Sequence, residues 1–419
     1  MLNQLETLIS HYQKALIIKP DDAILYQKIA ELYRSGFSFD EKLSQAAFSY
    51  LKAIQIKPDL FKAYYPLKFT LQALHWFNSE TNKELLETGV DILQNNIKKL
   101  PNFPFAYVVL GELFAQQGKV AQAKTCYQQA SYQQLSKSSP QLVKSAWDSS
   151  HKRHPDFLVI GLFKCGTTSF YSYLTAHPQI LPAVAKELRY FSQSSVNDID
   201  YYISHFPAIS DKNYLTGEAT PSYLSCPTIA KQILDWFPNI KLVILLRNPL
   251  QRTLSGFYQG NRFAYKYFKK SLNGVHSIDM NILQERVAQL PKLMRMSKNE
   301  RIDYWMSMRA ICLDNLDFEI SHHITYSLYI YYLREWFNVF SREQFLIIKS
   351  EDLFVNPAAT MKQAYEFIGL PDCPLPKYPN RNPNKYPPIS LSLRQQLAEF
   401  FQPYNQELED YLGKKFNWE

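Results

Sequence analysis

Lys164-Cys165-Gly166-Thr167-Thr168-Ser169 crowd a cation, a glycine and three hydroxyls into one short stretch. Such a set can hold a phosphate-like anion. Hydroxyls and free backbone N–H groups donate hydrogen bonds to it, glycine lets the backbone approach, and lysine adds a mobile positive charge. The flanking residues fit that use. Phe157-Leu158-Val159-Ile160-Gly161 is an apolar run of the length of a buried strand, and Phe170, Tyr171 and Leu174 follow at helical spacing. The helix is expected to stop near His177-Pro178, so the loop aims a helix N-terminus at the anion.

The common ATP-type loop reads Gly-x4-Gly-Lys-Ser/Thr. Gly161 and Gly166 keep the glycine spacing, but the lysine lies inside the loop at 164, and Thr167 stands where the ATP-type lysine would be. The strand that begins at Lys241 ends in Arg247 and not in an acidic residue that would help hold magnesium. Together these departures point to a metal-free site for a different anion.

The loop needs a scaffold. Lys241-Leu-Val-Ile-Leu-Leu246 and Phe345-Leu-Ile-Ile-Lys349 are further short apolar runs, each leading into a helix start at Asn248-Pro249 and Asn356-Pro357. Gly369-Leu370-Pro371 closes the second of those helices. Strands alternating with helices imply a parallel sheet, whose ligands bind at the carboxyl ends of its strands. Residues 1–135 read differently. Tyr107, Leu110, Gly111, Phe114, Gly118, Ala123, Tyr127 and Ala130 match the tetratricopeptide pattern, and Ala15 with Pro20 and Ala53 with Pro58 mark earlier copies. The prolines are spaced more widely than the usual repeat, so the turns must carry insertions. Serines, Pro140 and the His151–Pro155 cluster mark a linker or a loosely packed connecting helix over 136–154. The expected domains are therefore helical repeats at 1–135, that linker, and an α/β domain at 155–419.

Composition narrows the classes. The length suits two or three domains, and 46% hydrophobic with 20% charged residues is globular, not disordered. No apolar stretch approaches the ~18–20 residues of a membrane span, and no secretory signal is visible, so a cytoplasmic location is expected. Five scattered cysteines without a Cys-x-x-Cys pair favour reduced thiols and no zinc site. Adjacent His322 and His323 diverge and cannot chelate as an i, i+4 pair would. A net charge of +8 suits an anionic ligand but is too dispersed for nucleic acid. Tyr326 to Phe340 reads as a helix packed on the sheet, and the scattered basic residues of 256–325 have no readable role.

Lys164-Cys165-Gly166-Thr167-Thr168-Ser169, Arg247-Asn248-Pro249 with Ser255, and the closing Phe416-Asn417-Trp418 resemble PAPS-dependent sulfotransferases, most closely the Golgi-type, heparan sulfate branch and its bacterial relatives. The resemblance covers roughly 155–419. It implies an α/β P-loop-like domain with a central parallel sheet, here preceded by the all-α tetratricopeptide-like region. It also implies PAPS (3′-phosphoadenosine-5′-phosphosulfate) as donor, with no metal. The loop from Lys164 through Cys165, Gly166, Thr167, Thr168 and Ser169 would hold the 5′-phosphosulfate, with Lys164 beside the bridging oxygen where charge grows. Arg247 and Ser255 would bind the 3′-phosphate.

The same resemblance makes Glu187, in Lys186-Glu187-Leu188-Arg189-Tyr190-Phe191, the base that takes the acceptor's proton. Tyr329 would contact the 3′-phosphate side, with Ser327 where many relatives have glycine. Lys385 would reach the donor from a basic loop, though without the usual Lys-Gly-Arg form. Gly217–Tyr223 would lie near the acceptor, and Ala219 replaces a lysine frequent in heparan enzymes. Cys165 is read as a small packing residue, not a redox sensor. The acceptor is expected to be a saccharide or glycolipid, with the helical repeats docking a partner or shaping the cleft. Protein-tyrosine sulfation, a non-catalytic nucleotide-binding scaffold and an ATP- and magnesium-dependent phosphotransferase are the competing readings.

Overall fold

The structure is a computed structural model and describes residues 2–35, 40–76, 83–194, 196–260, 274–297, 299–301, 303–304, 316–381, 383 and 386–418. It divides into two compact units. The first comprises Met1–His154, Leu181–Lys186 and Gln193–Thr216; the second comprises Pro155–Ile180, Glu187–Ser192 and Gly217–Glu419. Among the described residues no helix is long and apolar enough to cross a membrane.

The N-terminal region is all helical: Leu2–Ile18, Ala23–Ser35, Asp40–Ile56, Phe61–Trp76, Lys83–Lys99, Pro104–Gln116 and Val120–Ser138 follow one another. Three of these helices stop within two residues of Pro20, Pro58 or Pro101, as expected where a proline disfavours helical backbone in the residue before it. Ala46, Ala47, Ala53, Ala63, Ala123 and Ala130 are fully buried and let the helices pack closely. The chain at Pro58 is tied down on one side by Tyr64, whose hydroxyl donates to the Pro58 carbonyl at 2.8 Å. Of the two readings for 136–154, linker or connecting helix, the helix holds for the first part. Val120–Ser138 runs through its start, and Pro140–Ala146 forms a further helix with Pro140 in its first turn. Leu135 and Val143 hold it in place by burying against Leu181 and Ile209 in one cluster.

A five-stranded sheet is formed by β1 (Phe157–Gly161), β2 (Ile180–Pro182), β3 (Leu215–Ala219), β4 (Lys241–Leu246) and β5 (Phe345–Lys349), in the order β2-β3-β1-β4-β5. The pairs β1–β3, β1–β4 and β4–β5 are parallel. All five residues of β1 are buried, the pattern of a strand covered on both faces. Gly217 sits opposite Phe157, where a Cβ would run into the Phe157 carbonyl oxygen. The parallel pairing brings the ends of β1, β3, β4 and β5 to one edge. Because β1 lies between β3 and β4, the chain leaves it to opposite sides, which opens a crevice beyond Gly161.

Candidate functional site

That crevice begins with the phosphate loop. Gly166 caps the helix Thr167–Leu174 at φ +85°, and its neighbour Lys164 is also left-handed at φ +72°. The loop's carbonyls are turned to donors behind it. Phe163 O accepts from Arg252 Nε at 3.4 Å, Lys164 O from Arg247 Nη1 at 3.3 Å and Cys165 O from Ser350 Oγ at 2.6 Å. With the carbonyls held back, the first-turn N–H groups, which have no intrahelical partner, remain for a ligand.

A cavity of about 370 Å³ lies in front, walled by Lys164, Gly166, Thr167, Thr168, Ser169, Glu187, Arg247 and Ser255. Lys164 Nζ donates to Gln259 Oε1. Ser255, on the helix Pro249–Gly260, is 2% exposed and its hydroxyl pairs with Tyr386 OH at 2.8 Å. Asn248 starts that helix as the sequence suggests: its Oδ1 accepts from the Gln251 N–H at 3.1 Å. Ser169 Oγ accepts from the Arg381 N–H at 3.1 Å, which draws the segment around Asn380 and Pro383 to the cavity wall.

Glu187 faces the same cavity from an irregular segment. Its N–H donates to the Ala219 carbonyl at 3.0 Å, so it hangs from the end of β3. Arg189 Nη2 lies 3.0 Å from Glu187 Oε2. Both residues have left-handed backbone, φ +59° and φ +58°. Such strain costs ~1–2 kcal/mol at each non-glycine residue and persists only where surrounding contacts impose it.

One expected ligand contact is redirected, and the Cys165 side chain packs as expected. Tyr329 does not line the cavity. It is buried, and its hydroxyl donates to the Arg247 carbonyl at 2.7 Å, so it steadies the strand end that carries the arginine. Cys165 is fully buried and adds no side chain to the wall; burial pushes its thiol up, in keeping with a packing residue. Lys385 lies outside the described residues. The closing Phe416-Asn417-Trp418 is a brace: Trp418 Nε1 donates to Glu351 Oε2 at 3.2 Å, and Glu351 Oε1 accepts from the Asn248 N–H at 2.8 Å. His322 and His323 are packed in the helix Leu316–Thr325, and burial lowers both, His323 to about 3. The aromatic segment is the helix Tyr329–Phe337, with Tyr332 and Trp336 buried.

Sequence reasoning missed Gln259 and Arg252. Gln259 is one turn beyond Ser255, a spacing that puts both on one helix face. Arg252 is fully buried, its guanidinium 4.1 Å from the Phe163 ring centroid and its Nη1 donating to His323 O at 2.6 Å. Burial pushes its proton affinity down. Nothing in its local sequence separates it from a surface arginine.

A glycine-capped loop and helix start at the carboxyl edge of a parallel sheet, with Glu187 on the wall of the same cavity, define an α/β domain of the phosphate-loop type. The chain belongs to the sulfotransferase domain family, whose model matches residues 154–378. The membrane-associated sulfotransferase kil1 of Dictyostelium discoideum is 26% identical over 319 residues, covering 63% of this chain and 66% of that protein. Bifunctional heparan sulfate N-deacetylase/N-sulfotransferase 1 of Caenorhabditis briggsae is 26% identical over 293 residues, covering 63% of this chain and 31% of that protein. The chain thus spans less than two thirds of the length of these two relatives. Human heparan sulfate glucosamine 3-O-sulfotransferase 6 is 22% identical over 298 residues, covering 64% of this chain and 74% of that protein. A crystal structure of a sulfotransferase from Alicyclobacillus acidocaldarius superposes with a TM-score of 0.44 at 20% identity, over 63% of this chain and 98% of that one.

Proposed function

We propose that this cavity transfers a sulfuryl group from PAPS to a hydroxyl or amine of a saccharide acceptor, without a metal ion. The observation that carries the reading is the meeting, in one cavity, of the loop residues Lys164 and Thr167–Ser169, the pair Arg247 and Ser255, and Glu187. The residues fit the donor. The loop's free N–H groups and hydroxyls suit the 5′-phosphosulfate, while Arg247 and Ser255 form a second anion-binding point for the 3′-phosphate.

PAPS supplies an activated sulfur whose bond to the bridging oxygen breaks as the acceptor's bond to sulfur forms. Glu187 takes the proton that the acceptor hydroxyl or amine loses. Lys164 stabilises the negative charge left on the departing phosphate oxygen, and must exchange Gln259 for that oxygen to do so. Arg252, buried behind Phe163, holds the Phe163 carbonyl away from the anion, as Arg247 and Ser350 do for those of Lys164 and Cys165. Two of the relatives carry heparan sulfate in their names, which supports a saccharide acceptor. Ala219, where heparan enzymes often carry lysine, favours a saccharide other than heparan sulfate.

The test is transfer of label from PAPS to a panel of saccharides, glycolipids and tyrosine peptides with EDTA present. The expected result is label on a saccharide. Label on tyrosine peptides alone would replace the acceptor class, and ATP turnover that requires magnesium, with none from PAPS, would overturn the reading.

A further inference from the structure

The segment that carries Glu187 owes its shape to one buried carboxylate. Glu218, the fourth residue of β3, is fully buried. Its Oε2 accepts from the Leu188 N–H at 3.3 Å and from Thr220 Oγ1 at 2.5 Å, and its Oε1 accepts from Tyr223 OH at 2.8 Å. The two hydroxyls pass the connection on. Thr220 Oγ1 accepts from the Arg189 N–H at 3.2 Å, and Tyr223 OH accepts from the Phe191 N–H at 3.4 Å. Thus three N–H groups of residues 188–191 are gathered, directly or through one hydroxyl, by a single side chain. Glu187 itself bonds to the neighbouring Ala219 carbonyl. The two left-handed residues, Glu187 and Arg189, flank the direct contact at Leu188. A strained segment with no regular structure of its own is kept by contacts of this kind.

We infer that Glu218, through Thr220 and Tyr223, is the positioning residue of the base: it fixes the backbone of 187–191 so that Glu187 faces the cavity with Arg189 beside it. Glu218 touches no substrate in this account. The inference rests on Glu187 being the base, and the experiment separates the two ideas.

The full chain is assayed with labelled PAPS and the saccharide of the panel above that takes most label, and the product nucleotide PAP (3′-phosphoadenosine-5′-phosphate) is titrated for affinity. Glu187→Gln tests the base alone; near-normal turnover there would remove the base and this inference with it. If Glu187→Gln is inactive, Glu218→Gln and Thr220→Val follow. Each is expected to lower kcat roughly 10- to 100-fold, as small misplacements of reacting groups do. PAP affinity should stay within about threefold in both, because the donor side stands on other elements. Thr220→Ser, which keeps the hydroxyl, is expected to restore the turnover that Thr220→Val loses.

If Glu218→Gln does not fold, the Thr220→Val and Thr220→Ser pair carries the test. Unchanged kcat in Thr220→Val would overturn the inference. So would a parallel fall of kcat, PAP affinity and melting temperature, since that is the signature of a merely structural role.

Discussion

The two walls of the cavity are built in opposite ways. The wall proposed for the donor is main chain and regular structure: a strand end, a helix start with Gly166 at its cap, and the strand end and helix that carry Arg247 and Ser255. The wall proposed for the base is an irregular segment, Glu187 to Phe191, strained at two residues and hung from β3 through Glu218, Thr220 and Tyr223. A wall made of backbone donors tolerates the loss of single side chains, because each contributes one hydrogen bond among many. A wall made of one carboxylate does not. The donor side should therefore respond to mutation in graded steps, and the base side in a single large one.

The largest effect should come from Glu187→Gln. General-base catalysis contributes about 10²–10⁴-fold, so turnover should fall by that factor while PAP binding stays within about twofold. Steady-state kinetics beside calorimetric titration measures both. A comparable loss in kcat and in PAP affinity would break the division between the walls.

Arg247→Ala should come next. A charge-assisted hydrogen bond contributes about 1.5–3 kcal/mol, which corresponds to roughly 10- to 150-fold weaker binding of PAP. AMP, which lacks the 3′-phosphate, should lose little. Equal losses for both nucleotides would move Arg247 away from the 3′-phosphate. Ser255→Ala should be the mildest, about 1 kcal/mol or roughly fivefold on PAP. A loss as large as that of Arg247→Ala would mean that the Ser255–Tyr386 pair shapes the site as well as binding the ligand.

The same contrast explains what could be read from the sequence. The loop, the strands and the helix starts at Asn248 and Asn356 are local patterns in which neighbouring residues speak for each other, and the structure has the phosphate loop between β1 and its helix. Glu187 as the proposed base rests on the family resemblance and not on a local pattern. Glu218 was missed, although Gly217–Tyr223 stood out, because its meaning lies in hydrogen bonds to residues some thirty positions earlier. Tyr329, expected beside the 3′-phosphate, donates instead to the Arg247 carbonyl, a difference of one layer that spacing cannot resolve. Arg252 illustrates the same limit: only the fold reveals that this arginine is buried against Phe163.

The central claim is that the cavity is built for a nucleotide carrying both a 5′ anion and a 3′-phosphate. Calorimetric titration of the full chain with PAP, AMP and ATP, in EDTA, tests it most directly. The account predicts that PAP binds at least about tenfold more tightly than either of the others, the contribution of one added charge-assisted contact. Equal affinity for all three nucleotides would contradict it.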